Sequence, residues 1–272
     1  MRRWTSSAAL VVLVAVVAAA DDKPKDGKGA KGEDPAAKPA EDDDLPTQDL
    51  RAGGDEKKRY LVHGPKKDSK EPKEGRPVLY VLPGGNGDAE FRTFVKSMRR
   101  EALTDEWVEV QLVAAKWRDD QTIVWPTKLD QTRDAKFTTE EFFAAVHKDV
   151  TKAFKIDAKR VFALGWSSGG PPVYTLALQS KSPVTGAYLA QSVFYPSKLP
   201  SLGGAKGKPF FIDHSPDDKT CEFKLAEEAR DALKKAGAEV EFVTYEGGHG
   251  WKGDIWGRMK KGIAHLTKHA AK

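Results

Sequence analysis

From residue 59 onward, short runs rich in apolar and β-branched residues alternate with longer stretches whose apolar positions recur at helical spacing. Strands are predicted at 59–63, 77–82, 107–114, 160–165, 187–194, 209–213 and 239–245, and helices at 89–102, 138–154, 173–178, 221–236 and 255–270. Thr138 and Glu141 stand at capping-box spacing before the second helix. The run Pro-Val-Leu-Tyr-Val-Leu at 77–82 is apolar throughout, as in a strand covered on both faces. Strand and helix alternating at this interval predict an α/β fold, a mostly parallel central sheet with helices on both faces.

The first 58 residues follow a different pattern. Arg2 and Arg3 precede an apolar run from Ala8 to Ala20 that ends in three alanines, so residues 1–20 are expected to be a signal peptide cleaved near Ala20. The run is short for a membrane span. Residues 21–58 are rich in Asp, Glu, Lys, Gly, Pro and Ala and hold too few large apolar side chains to offset the entropy of ordering. They are expected to form a disordered charged linker, and residues 59–272 one catalytic domain, with the product secreted or periplasmic. The lone Cys221 excludes an intrachain disulfide and a cysteine-based metal site. The chain carries a net charge of +5, but no zinc-ligand spacing or nucleic-acid motif accompanies it, so a nucleic-acid partner is not expected.

In an open parallel sheet the chemistry lies beyond the carboxyl ends of the strands, and four segments there carry reactive groups. Gly165-Trp166-Ser167-Ser168-Gly169 follows the strand at 160–165. Glycines two positions either side of a serine permit the tight strand-to-helix turn that lifts one hydroxyl above the sheet. Pro83-Gly84-Gly85-Asn86-Gly87 follows the strand at 77–82 and can turn backbone N–H groups toward a developing oxyanion. Gly85 and Ser168 are the expected donors, with Asn86 as a third. His214-Ser215-Pro216-Asp217-Asp218 follows the strand at 209–213, and either aspartate is placed to orient an imidazole. Gly247-Gly248-His249-Gly250-Trp251 follows the strand at 239–245, placing a histidine on a glycine loop. His214 and His63 are weaker candidates, and Cys221 reads as a small, partly buried thiol.

These segments resemble the α/β-hydrolase family, and within it the phospholipase/carboxylesterase, dienelactone-hydrolase-like and polyhydroxybutyrate-depolymerase-like esterases. The resemblance spans about residues 59–270. It implies an α/β-hydrolase fold with Ser167 as nucleophile, His249 as base and Asp218, four residues after His214, as the orienting acid. Pro83 stands where the family has histidine in its oxyanion loop. The implied activity is a serine carboxylic-ester hydrolase working through an acyl-enzyme, without metal or cofactor. Too few residues separate 192 and 208 for a large cap domain, and an open site suits bulky substrates such as polymer-linked esters. Trp166 and Trp251, beside the serine and the histidine, and Trp125 are expected to bind substrate; Trp117 could equally be a packing residue. Gly-Trp-Ser-x-Gly-Gly is also similar to prolyl-oligopeptidase-like peptidases, though no propeller accompanies it here. A non-catalytic binding protein on a hydrolase scaffold is a third reading.

Overall fold

The computed structural model describes residues 47–270. The expected signal peptide and the linker up to residue 46 lie outside the described residues.

An eight-stranded sheet runs in the order β1 (Thr47–Arg51), β2 (Arg59–His63), β4 (Val108–Leu112), β3 (Arg76–Leu82), β5 (Ile156–Trp166), β6 (Gly186–Ala190), β7 (Pro209–His214) and β8 (Glu239–Thr244). β1 pairs antiparallel with β2, and β2 with β4. The other five pairings are parallel. Period-2 alternation divides the central strands between two cores. Val78, Tyr80 and Leu82 face one core; Leu79 and Val81 face the other. The first core is covered by α2 (Thr139–Ala153), α3 (Gly170–Leu178) and α4 (Phe223–Lys235); the second by α1 (Arg92–Ala102) and α5 (Ile255–Ala270). α2 begins with the expected capping box: the Thr138 side chain accepts from the Glu141 amide, and the Glu141 carboxylate accepts from the Thr138 amide.

Two differences from the sequence reading change the shape of an element. The linker was expected to reach residue 58, yet Thr47–Arg51 forms an edge strand fastened by Arg59, whose guanidinium donates twice to Asp49 at 3.0 and 2.8 Å. The strand expected at 187–194 stops at Ala190. Gln191 turns the chain away with a φ of 43°.

Glu109, fully buried on β4 opposite Leu79 and His63, has no hydrogen-bond partner at either carboxylate oxygen. Burial pushes its pKa well above the ordinary value, against the attraction of Arg99. A raised carboxyl pKa means the folded state holds a proton the unfolded chain releases, so stability falls as pH rises above the ordinary glutamate value of 4.5. Glu109→Gln is therefore expected to raise stability at pH 8 by about 1 kcal/mol, or roughly 2–4 °C in Tm. The gain should shrink toward pH 4.5, and melting curves of both proteins across that range check it.

Candidate active site

The parallel register lines up the carboxyl ends of the central strands. Leu82 pairs with Gly165, Trp166 with Ala190, Ala190 with Asp213 and His214 with Thr244. The four loops singled out in the sequence therefore leave the sheet side by side.

Ser167 sits directly after β5, with a φ of 52°. A left-handed backbone at a non-glycine residue carries strain and persists only where its surroundings hold it. The surroundings here are tight. A Cβ on Gly165 would be driven into the Gly169 backbone, and one on Gly169 into the carbonyl oxygen of Leu82. Both glycines are therefore required by close approach of backbone to backbone. Ser192 adds a brace that the sequence reading did not anticipate: its buried hydroxyl donates to the Ser167 carbonyl at 2.8 Å. The chain then enters a short 3₁₀ turn, Ser167–Gly169, and α3. Pro171 and Pro172 fall in the first turn of α3, where N–H groups lack intrahelical partners anyway.

The loop after β3 is closed by the Gly87 amide donating to Gly84 O at 2.9 Å, which leaves Gly85 and Asn86 exposed at its tip. Gly84 packs so closely on the Ser167 Cβ that any side chain there would collide with it. The Ser168 hydroxyl donates to Gly85 O at 3.0 Å, tying this loop to the serine turn. Pro83 accepts a hydrogen bond from Trp125 Nε1 at 3.0 Å through its carbonyl.

His249 Nε2 lies 3.1 Å from Ser167 Oγ, and His249 Nδ1 lies 2.8 Å from Asp218 Oδ2. Asp218 is buried; its other oxygen accepts from the amides of Thr220 and Cys221, both at 2.8 Å. Burial alone would raise its pKa. The Cys221 amide, His249 and the Thr220 amide outweigh burial and hold the carboxyl below its ordinary value. Asp217, left open by the pattern of residues, is exposed and its amide donates to Ser215 Oγ. His214 is buried behind the site, with Nε2 donating to Cys221 O at 2.8 Å, and burial lowers its pKa.

The histidine loop is held from two sides. Ser215 Oγ accepts from the Gly248 amide at 3.0 Å. The Tyr245 hydroxyl lies 2.8 Å from Gly248 O and 2.7 Å from Gly250 O, so it engages the carbonyls on both sides of His249. The Tyr245 ring stacks under the Arg258 guanidinium at 4.1 Å, and Arg258 is paired with the fully buried Asp213 at 3.0 Å.

The tryptophans separate by role. Trp166 stacks on His249 with centroids 6.1 Å apart, and on Phe91 at 5.3 Å. Trp251 is buried, its ring packed against Phe94 and 6.2 Å from that of Trp166. Trp125 supports the Pro83 loop and presents an edge to a cavity beside Ser168. Trp117 packs edge-on against Phe137. Among the described residues one group, Asp218, Cys221 and His249, brings metal-ligating atoms within 4.8 Å of one another. Those atoms have other work: Asp218 and His249 bond each other, and burial pushes the Cys221 thiol up to about 11, so it stays protonated.

This sheet with its loop constellation defines the α/β-hydrolase fold. An α/β-hydrolase enzyme from a Medee basin deep-sea metagenome library aligns with a TM-score of 0.61 at 14% identity, over 84% of this chain and 99% of that one. A carboxylesterase from Mesorhizobium loti gives 0.61 at 20% identity, over 82% and 99%. The phospholipase/carboxylesterase family model matches residues 106–269, more than half of the chain, and the chain belongs to that family. Acyl-protein thioesterase 1 of Neurospora crassa is 31% identical over 114 residues, 40% of this chain and 46% of that protein. The match thus spans less than half the length of that relative.

Proposed function

We propose that the protein is a serine hydrolase that cleaves carboxylic esters through an acyl-enzyme. The observation that carries this reading is the continuous hydrogen-bonded line from Asp218 through His249 to Ser167 Oγ. Ser167 Oγ attacks the ester carbonyl while its proton passes to His249 Nε2. The negative charge of the tetrahedral intermediate falls on the former carbonyl oxygen, toward the Gly85 and Ser168 amides. Collapse breaks the bond to the alcohol oxygen, which leaves with the proton from His249. Water then repeats the sequence on the Ser167 ester, releasing the acid and restoring the serine. Asp218 accepts from His249 Nδ1–H throughout, so Nε2 is the nitrogen free to take the serine proton.

Export is part of the proposal and rests on Arg2, Arg3 and the Ala8 to Ala20 run. Among the described residues no helix is long and apolar enough to cross a membrane. The likeness to an acyl-protein thioesterase adds thioesters as a second substrate class for the same chemistry.

Incubation with a fluorophosphonate probe tests the reading. Wild-type protein is expected to gain one adduct, located on Ser167 by peptide mass spectrometry, and to lose p-nitrophenyl ester turnover in step with labelling. A protein that turns over the ester while Ser167 stays unlabelled would require another nucleophile.

A further inference from the structure

Beside Ser168 a cavity of about 200 Å³ opens between the connection that follows β4 and the one that follows β6. Its walls are mainly apolar: Ile123, Val124, Val193 and Leu199 face Pro171 and Pro172 at the start of α3. Lys198 and Asp130, both lining residues, form an ion pair, with Lys198 Nζ donating to the two carboxylate oxygens at 3.0 and 3.2 Å. Tyr195, which also lines the cavity, is 46% exposed. His249, Asp218, Trp166 and Trp251 do not border the cavity.

That one-sided placement bears on which part of an ester enters it, given the serine-hydrolase reading above. The tetrahedral carbon carries four substituents: Ser167 Oγ, the oxyanion, the leaving oxygen and the acyl carbon. The leaving oxygen takes its proton from His249 Nε2 and so must lie within hydrogen-bond reach of that ring. Trp166, stacked on the other part of the imidazole, walls that side. The oxyanion faces the Gly85 and Ser168 amides. The acyl carbon is the substituent that remains, and it points away from His249, toward Ser168 and the cavity.

We propose that this cavity is the acyl subsite and that it selects compact acyl groups, the size of a single aromatic ring or a chain of roughly four to six carbons, since a dry cavity of about 150 Å³ holds one benzene. At about 200 Å³ the space takes a ring with one small substituent. A long alkyl chain overfills it, and its outer methylenes leave past the charged Asp130–Lys198 pair into solvent. The exposed Tyr195 ring offers an aromatic face to an aromatic acyl group.

The test uses the purified protein with p-nitrophenyl acetate, butyrate, hexanoate, benzoate, laurate and palmitate, so that the leaving group stays constant. kcat/KM is expected to rise roughly fourfold per methylene until the cavity fills. Benzoate should be accepted, and laurate should fall about tenfold or more below the optimum. Val193→Phe fills the space from one loop, and Ile123→Phe fills it from the other should the first not fold. Either is expected to move the optimum to acetate and to lower hexanoate and benzoate about tenfold relative to acetate. A second series, acetate esters of alcohols of increasing size, should be unmoved by either variant. Laurate or palmitate as the best substrate would overturn the proposal, as would variants that alter the alcohol series in place of the acyl series. Absence of Ser167-dependent turnover on every ester would overturn the hydrolase reading itself, and the subsite with it.

Discussion

Ser167→Ala is expected to lower kcat for a p-nitrophenyl ester by about 10⁵–10⁶-fold, with His249→Ala causing a loss of the same order. Ser167 Oγ without a base 3.1 Å away is a neutral hydroxyl and a weak nucleophile. His249 without the hydroxyl has no proton to move. In the proposed mechanism the two act as one device, so the double variant should be no slower than either single one. What remains, roughly 10³–10⁴-fold over water, would come from substrate binding and the backbone donors. Steady-state turnover of the three variants, with circular dichroism to show that each is folded, checks this. Losses that multiply in the double variant would mean that the serine and the histidine work independently, contrary to the proposed mechanism.

The second large effect concerns the choice between adjacent aspartates. Asp218→Asn should reduce kcat about 10⁴-fold with KM little changed, because an amide that donates where the carboxylate accepted favours the wrong imidazole tautomer. Asp218 also has a second duty. One oxygen serves His249 while the other takes the amides of Thr220 and Cys221. An amide side chain has a single acceptor oxygen and must abandon one of these tasks. Asp217→Asn touches none of these bonds and should leave kcat within about twofold. The depressed pKa of Asp218 carries a stability consequence of definite sign. Its contribution is present above the ordinary aspartate value of 3.8 and is lost as pH falls through its lower folded value.

The parallel core was legible because β3 and β5 to β7 are apolar enough to be read without tertiary context, and because glycine, proline and capping residues mark where they stop. β1 was not legible. Thr-Gln-Asp-Leu-Arg at 47–51 is polar, mostly exposed and embedded in a charged segment; its strand conformation comes from pairing with β2 and from the Asp49–Arg59 contact, neither of which is local. The four loops of the site could be read because each places a rare residue type immediately after a strand. Position alone could not separate Asp217 from Asp218. The structure separates them by burial and by three hydrogen bonds, all made across the fold or to following amides. The bracing of Ser167 by Ser192 and of the His249 loop by Tyr245 left no sequence signal, since a serine and a tyrosine are unremarkable until the chain folds. The burial of Trp251 shows the converse. Adjacency to a reactive residue places a side chain near it in sequence, while the contact with Phe94 of α1 holds this ring in the core.

Cys221 gives the site a built-in reporter. It is the sole cysteine in the chain, it is buried, and its amide and carbonyl are tied to Asp218 and His214. A protonated, enclosed thiol cannot react with a maleimide until the segment carrying Asp218 swings outward. At low reagent concentration the labelling rate therefore measures the free energy of that local opening, as amide exchange would, but at a single position beside the proposed nucleophile. An acyl-enzyme that closes the site should slow labelling, and the rate would then follow substrate occupancy on an intact, unmutated chain.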